Sequence, residues 1–325
     1  MDRITFILIA LLVWILTIIL VIVVLKLINN KEKKKLKAEI EKLEKESIEI
    51  GKGRVHERPA VLQRSGETTL QTTIIVATHK PYWVPDDPMY LPVQMGHAIH
   101  PACGYIGDDT GENISERNAN FCELTGLYWA VHNIDSDYIG IVHYRRYFAS
   151  RKKSIFDAKK RRVISHEELC AILATTNVVL PKERHYFIET NYTQYIHAHH
   201  KQDLTVTRAI IERKCPEYLP AYDMYMSKTH GHHFNMFVMK RELLQHYCTW
   251  LFDILFELER ELDMTGYSTN DRRVFGFVSE RLLDAWLITN NISYEELDIV
   301  YMEHQNWLHK GTQFLKRKFF PKKDD

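Results

Sequence analysis

Hydrophobic positions follow three rhythms along this chain, and each predicts a different kind of element. In residues 4–25 they are continuous, with no charged residue among them. At about 1.5 Å per residue that run makes a helix of about 33 Å, enough for a hydrocarbon core of about 30 Å. It lacks the shorter apolar core and small-residue cleavage site of a removed leader, so it predicts a permanent transmembrane anchor over residues 1–30. In residues 31–50 the rhythm is helical but sparse, with Leu36, Ile40 and Leu43 among Lys and Glu. This predicts a short charged helical stalk, whose seam leaves room for a homo-oligomer. Residues 51–70 carry Gly51, Gly53, Pro59, Ser65 and Gly66 without a period and predict a linker.

From residue 71 to 325, short β-rich runs are separated by helical stripes. Residues 73–77, 105–107, 138–143, 177–180 and 234–239 predict strands. Residues 116–133, capped by Ser115, place Phe121, Leu124, Leu127 and Val131 on one face. Residues 241–264 form the clearest stripe, through Leu244, Tyr247, Leu251, Leu255, Leu258 and Leu262. Strands alternating with helices predict an α/β domain.

Charge and cysteine usage narrow the classes. The formal net charge of the 325 residues is +1, which argues against a nucleic-acid partner held by a broad basic field. The five cysteines are scattered and form no Cys-x-x-Cys pair, so neither a disulfide framework nor a zinc ribbon is expected. Only Arg3 precedes the apolar run, whereas Lys26, Lys31, Lys33, Lys34, Lys35 and Lys37 follow it. The positive-inside rule then predicts a single-pass protein of the inner or plasma membrane with its catalytic domain in the cytoplasm.

Ligands of open α/β sheets bind beyond the carboxyl ends of the strands. At the end of the 138–143 strand stand His143, Tyr144, Arg145 and Arg146. Extended alternation would put His143 and Arg145 on one face, Tyr144 and Arg146 on the other. Two guanidiniums there suit a diphosphate; they equally suit tying down a loop. The first strand ends in Thr78, His79 and Lys80. The polar turn holding Asp108, Asp109, Asn113 and Ser115 enters a helix bearing Asn118, Glu123 and Thr125. Its free N–H groups suit an anion, and its aspartates a ribose, a base or a cation; a plain capped loop fits as well. Asp135-Ser-Asp137 matches the D-x-D pattern that holds a cation and diphosphate, but it precedes its strand and reads as a solvated turn. His197-Ala-His-His200 and His230-Gly-His-His233 have metal-ligand chemistry, yet the tyrosines and phenylalanines around them suit sugars equally. Asn235, in an apolar run, needs a polar partner such as a sugar hydroxyl or a neighbouring loop. Glu280 beside Arg281 is a candidate general base or a surface ion pair.

With these residues in view, the domain resembles DUF4422, a bacterial family associated with capsular and exopolysaccharide biosynthesis and regarded as glycosyltransferase-like. The matching stretches are Ile75-Val-Ala-Thr-His-Lys80, Gly107-Asp-Asp-Thr-Gly-Glu-Asn-Ile-Ser115, Cys122-Glu-Leu-Thr125 with Tyr128-Trp129, Tyr138-Ile-Gly-Ile-Val-His-Tyr-Arg-Arg-Tyr147, Phe234-Asn-Met-Phe237 and Gly276-Phe-Val-Ser-Glu-Arg-Leu282. They run in order over about residues 72–290. The resemblance implies a GT-A-like, Rossmann-related single catalytic domain using a nucleotide sugar. Ordinary GT-A enzymes place a D-x-D where His143-Tyr-Arg-Arg146 stands here. Mn2+ or Mg2+ therefore stays open as a cofactor, with arginine charge as its replacement and no residue assigned to a metal.

The expected activity is inverting transfer of a hexose, galactose or galactofuranose, from a UDP-sugar to a lipid-linked oligosaccharide. In it Glu280, Arg145, Arg146 and His143 are catalytic. Thr78, His79, Lys80, Asp108, Asp109, Asn113, Ser115, Asn118, Glu123, Thr125 and Tyr144 hold the donor. His232, His233, Asn235 and Arg281 contact donor sugar or acceptor. The rivals are a zinc hydrolase built on the histidines and a non-catalytic scaffold of a polysaccharide-assembly complex.

Overall fold

The computed structural model describes residues 70–303. The expected anchor and stalk, and the linker up to residue 69, lie outside them. Among the described residues no helix is long and apolar enough to cross a membrane. The expected single-pass placement in an inner or plasma membrane is corrected accordingly and not carried forward.

In chain order the strands are β1 (Thr72–Thr78), β2 (Tyr90–Gln94), β3 (Ile106–Gly107), β4 (Tyr138–His143), β5 (Arg146–Phe148), β6 (Val178–Pro181), β7 (Arg184–His185), β8 (His230–Gly231), β9 (Phe237–Lys240), β10 (Glu295–Leu297) and β11 (Ile299–Tyr301). The helices are α1 (Asn118–Phe121), α2 (Leu124–Asn133), α3 (His166–Leu173), α4 (Asn191–Ile196), α5 (Lys201–Lys214), α6 (Leu219–Ser227), α7 (Arg241–Glu261), α8 (Val274–Ser279) and α9 (Leu283–Thr289). The main sheet has the order β10-β6-β9-β4-β1-β2-β3, with β5 and β11 attached beside β4. The fold is thus α/β with a mixed sheet: β1 to β4 are parallel, and β9 runs antiparallel between β4 and β6.

Both faces of the sheet are covered, which is why β1 and β4 read as nearly unbroken apolar runs. Alternation sorts their side chains. Ile75, Ala77, Ile139 and Ile141 join the larger core under α2, α5, α7 and α9, while Ile74, Val76, Tyr138 and Val142 join a smaller core on the other face. The expected stripe of the longest helix is buried as read, from Leu244 through Tyr247, Leu251 and Leu255 to Leu258. Gly140 lets β4 approach β9: a Cβ there would lie 2.8 Å from Val238 Cγ2 and 2.9 Å from the Phe237 carbonyl oxygen.

Three elements differ from their sequence patterns. The helix expected over 116–133 is interrupted at Cys122, whose backbone turns to φ 52°. Its carbonyl accepts from the Asn118 side chain (Nδ2, 2.8 Å) and from the Thr125 N–H (3.3 Å). The strand expected over 234–239 begins only at Phe237, because Phe234 and Asn235 both adopt positive φ. The chain does not run on after His143. It reverses through Tyr144 and Arg145, and Arg146 pairs back across from His143.

One consequence places the site. β1, β2, β3, β4 and β6 point their carboxyl ends to the same edge, and β9 starts there.

Candidate active site

The reversal after β4 sets which side chains meet. Directly opposed residues of an antiparallel pair project to one side of the sheet, so His143 and Arg146 share a face, correcting the alternation expected from an extended chain. His143 Nε2 lies 2.6 Å from the Phe234 carbonyl oxygen, and the Arg146 guanidinium lies 4.3 Å from the Phe234 ring centre. Burial holds the His143 imidazole below its ordinary pKa, with Arg146 adding to the effect against Glu123 and Glu280. Arg145 occupies the turn itself. Its side chain is exposed, 5.0 Å over the buried Tyr144 ring and 3.3 Å from Glu303. His79 and Lys80, leaving β1, lie against that same tyrosine. Burial, then Lys80 and Arg145, lower the His79 pKa. Lys80 from the exit of β1, with Arg145 and Arg146 of the β4–β5 reversal, makes a cationic rim suited to an anionic group.

Beside it, Asn235 is buried and fully engaged. Its Nδ2 donates to Glu123 Oε1 (2.7 Å) and to the Gly276 carbonyl (3.0 Å), and its Oδ1 accepts from Ser279 Oγ (2.9 Å). Cys122, Phe234 and Asn235 all have positive φ, a conformation that costs non-glycine residues energy and gathers at functional sites. The Cys122 thiol is pushed up to about 11 by burial and by Glu123, and Arg273 Nε donates to its sulfur at 3.2 Å.

Glu280 follows α8 and faces this centre. Burial alone would raise its pKa; the His233 ring and the Arg281 and Arg146 guanidiniums outweigh burial and hold it at about 2. Behind it, Arg281 is buried, with Nη1 2.6 Å from His233 Nδ1 and Nη2 donating to Gln194 Oε1 at 2.6 Å. Burial and then Arg281 depress His233 to about 4, so the neutral ring accepts a hydrogen bond from the Arg281 N–H. His233 Nδ1 and Arg281 Nη1 flank Glu280, 3.6 and 4.0 Å from its Oε2. Tyr186, one of the aromatics around the histidine runs, packs edge-on to His233 at 5.3 Å and belongs to this support, as does Gln194, which carries no sequence signal of its own.

The polar turn after β3 lies at the same sheet edge. Asp108 is fully buried and accepts from the Gly96 and His97 N–H groups (2.9 and 3.0 Å) and the Ser115 and Thr125 hydroxyls (2.5 Å each). It anchors the turn, and no lone pair is left facing out. Asn118 and Asn113 likewise bond within the turn region. Thr78 is buried and closes a local turn onto Lys80. Asp109 stands at the rim, 2.7 Å from His97 Nδ1. Asp135 and Asp137 sit before β4, at the opposite end of the strand, where they bond Arg241 and the Gln71 N–H.

The two histidine runs do not converge. His197 bonds Glu189, His199 and His200 lie near Asp271, His230 bonds Glu183, and His232 is buried between Asp284 (2.6 Å) and Glu296 (3.1 Å). Burial would lower the His232 pKa, but Asp284 and then Glu183 and Glu296 raise it overall. Among the described residues, the group whose ligand atoms could hold a metal ion is Glu183, His232 and Asp284, within 4.8 Å of one another. Of these, His232 alone stood out in the sequence. At the β4 exit the donors are guanidiniums, an imidazole and carboxylates already bonded to Asn235 or facing Arg281. That set does not fit a diphosphate-bridging cation.

Comparison with known proteins supplies the context. Residues 73–291 match the family described as Domain of unknown function (DUF4422). A solved structure titled as the apo form of the bifunctional glycosyltransferase WbbM superposes with a TM-score of 0.67 at 28% sequence identity, over 72% of this chain and 46% of that one. The chain thus matches less than half of the length of that relative. No curated protein matches the chain.

Proposed function

The chain belongs to the DUF4422 family, and on that premise we propose that it is a glycosyltransferase moving a hexose, galactose or galactofuranose, from a UDP-sugar to a growing surface-polysaccharide glycan on a lipid carrier. Fold likeness to a glycosyltransferase supports the reaction class. The observation that carries the assignment of roles is the β4–β5 turn, where Arg146 lies opposite His143 and shares its electrostatic surroundings with Glu280 and Glu123.

Arg145, Arg146 and Lys80 bind the donor diphosphate and neutralise the charge that grows as the sugar–phosphate bond breaks. Glu280 takes the proton of the acceptor hydroxyl as its oxygen bonds the anomeric carbon from the opposite face, so configuration inverts. A carboxylate of pKa about 2 is a weak base. A diphosphate drawing the Arg146 charge to itself removes one of the groups that holds Glu280 low, and donor binding then strengthens the base. Arginine charge thus stands in place of a cation, and the Asp109 rim meets the nucleoside.

Calorimetric titration with UDP, GDP and CMP, first in EDTA and then with Mn2+, tests this. UDP is expected to bind equally in both, and Arg146→Ala to weaken it about 10- to 100-fold, the worth of about 1.5–3 kcal/mol for a charged hydrogen bond. An absolute Mn2+ requirement refutes the metal-free version. No binding by any of the three nucleotides, from demonstrably folded protein, sinks the whole reading.

A further inference from the structure

One large cavity among the described residues lies away from the β4–β5 turn. It is an open trough of about 710 Å3 between the start of α5 and the 265–271 segment, well inside the roughly 300–1,000 Å3 span of ligand sites. Its walls hold the flat rings of His199, His200 and Tyr267. His200 stacks on Tyr267 with centres 4.0 Å apart and planes 13° apart, and His199 stacks on Phe277 at 4.1 Å and 25°. Between them the Asp271 carboxylate lies 3.7 Å from each imidazole. Tyr267 is fixed from behind by the buried Asp203, which accepts its hydroxyl at 2.5 Å and that of Tyr195 at 2.8 Å. Gln202 Nε2 holds Tyr267 from the rim.

Sugars present hydroxyls around an edge and C–H groups on a face. They are held by carboxylate, imidazole and amide groups along the first and by aromatic faces against the second. The trough supplies both on side chains already held in place. Its position joins it to the proposed chemistry. Phe277 stands three residues before Glu280. One face of its ring carries His199, and the Arg273 guanidinium lies 5.3 Å from its centre. Arg273 in turn reaches Cys122, next to Glu123. One aromatic ring thus stands between the trough and the candidate centre.

We infer that this trough is the acceptor subsite, holding the sugar units that precede the hydroxyl being glycosylated, so that the protein recognises an oligosaccharide and not a single sugar. The inference rests on the glycosyltransferase reading above. Thr205 is an exposed position of α5 on the trough wall. Thr205→Trp would fill the trough without touching the donor side, and His200→Ala would remove one stacked ring.

The test uses the full chain and a defined set of galacto-, gluco- and manno-oligosaccharides of one to four units, with binding read by saturation-transfer NMR and UDP affinity read in parallel by calorimetry. At least one tri- or tetrasaccharide is expected to bind at least tenfold more tightly than its monosaccharide. Both variants should lose at least tenfold in that affinity with UDP affinity unchanged, which also reports that they fold. The inference is overturned if no member of the set binds, if the monosaccharide binds as tightly, or if binding survives Thr205→Trp within twofold. Failure of UDP to bind the unmodified chain would instead strike the donor reading, since oligosaccharide binding is scored independently.

Discussion

At the scale of single residues the molecule is a contest over Glu280. Its side chain is partly buried and ringed by His233, Arg281 and Arg146, which keep the carboxylate ionised down to about pH 2. Glu280→Gln preserves its shape and removes its basicity. We expect turnover to fall about 10²- to 10⁴-fold, the usual worth of a positioned base, with UDP affinity unchanged within a few-fold. Full turnover in that variant would end the assigned role. The donor-bound base should also be the stronger one, so the acid limb of kcat should lie at higher pH than that of kcat/KM for the donor; coincident limbs would argue against a shared Arg146. Much of this centre was legible in the sequence. His143 to Arg146 announce themselves as a basic cluster at a strand end, Asn235 as a polar residue in apolar company, and Glu280 as an acid beside an arginine. Arg273, Phe277 and Asp271 did not, because each matters only through neighbours some 70 to 150 positions away in the chain. Asp108 misled for the opposite reason: an acid in a polar turn looks like a ligand contact until its four internal donors are counted.

At the scale of elements, hydrophobic rhythm was a good guide wherever one face of a strand or helix meets the core without interruption, as in β4 and α7. It was blind to breaks that keep the rhythm. Phe121 and Leu124 are both buried, so the apolar face continues across Cys122 although the helix does not. At Phe234 and Asn235 a left-handed turn likewise precedes β9, while Phe234 and the buried Met236 keep the run apolar. Gly140 offers a direct test of how tightly β4 and β9 are laid together. Gly140→Ala must push its Cβ against backbone, not only a pliable side chain, and Gly140→Val more so. We expect the valine variant to lose about 1–3 kcal/mol, as overpacking typically costs, read as a lowered urea midpoint with unchanged slope. An unchanged midpoint would mean the two strands separate easily.

At the scale of the whole molecule, buried titratable groups set a direction for acid stability. His199 and His233 both sit near 4 in the folded protein, against an ordinary 6.5. Between those values the unfolded chain binds more protons, so stability falls as pH drops from about 6.5 towards 4, and Glu280 extends the loss from 4.5 towards 2. His232 works the other way, its raised pKa giving stability that is present in acid and fades as pH rises through it. Calorimetric melting should show Tm declining from pH 7 to 4, and His233→Gln should flatten that decline; a Tm indifferent to pH over this range would contradict the burial of neutral imidazoles. The α/β class could be read from the sequence, but the mixed order of the sheet could not, since β9 looks no different from a parallel strand. The family resemblance ends near residue 291, whereas β5 is clasped by β11 at three positions and by β4 at only one, and the Met302 N–H closes on the Arg145 carbonyl. The ancestry of the domain and its mechanical integrity therefore have different endpoints. A polypeptide trimmed at the inherited boundary would leave its arginine hairpin as an unbuckled strap.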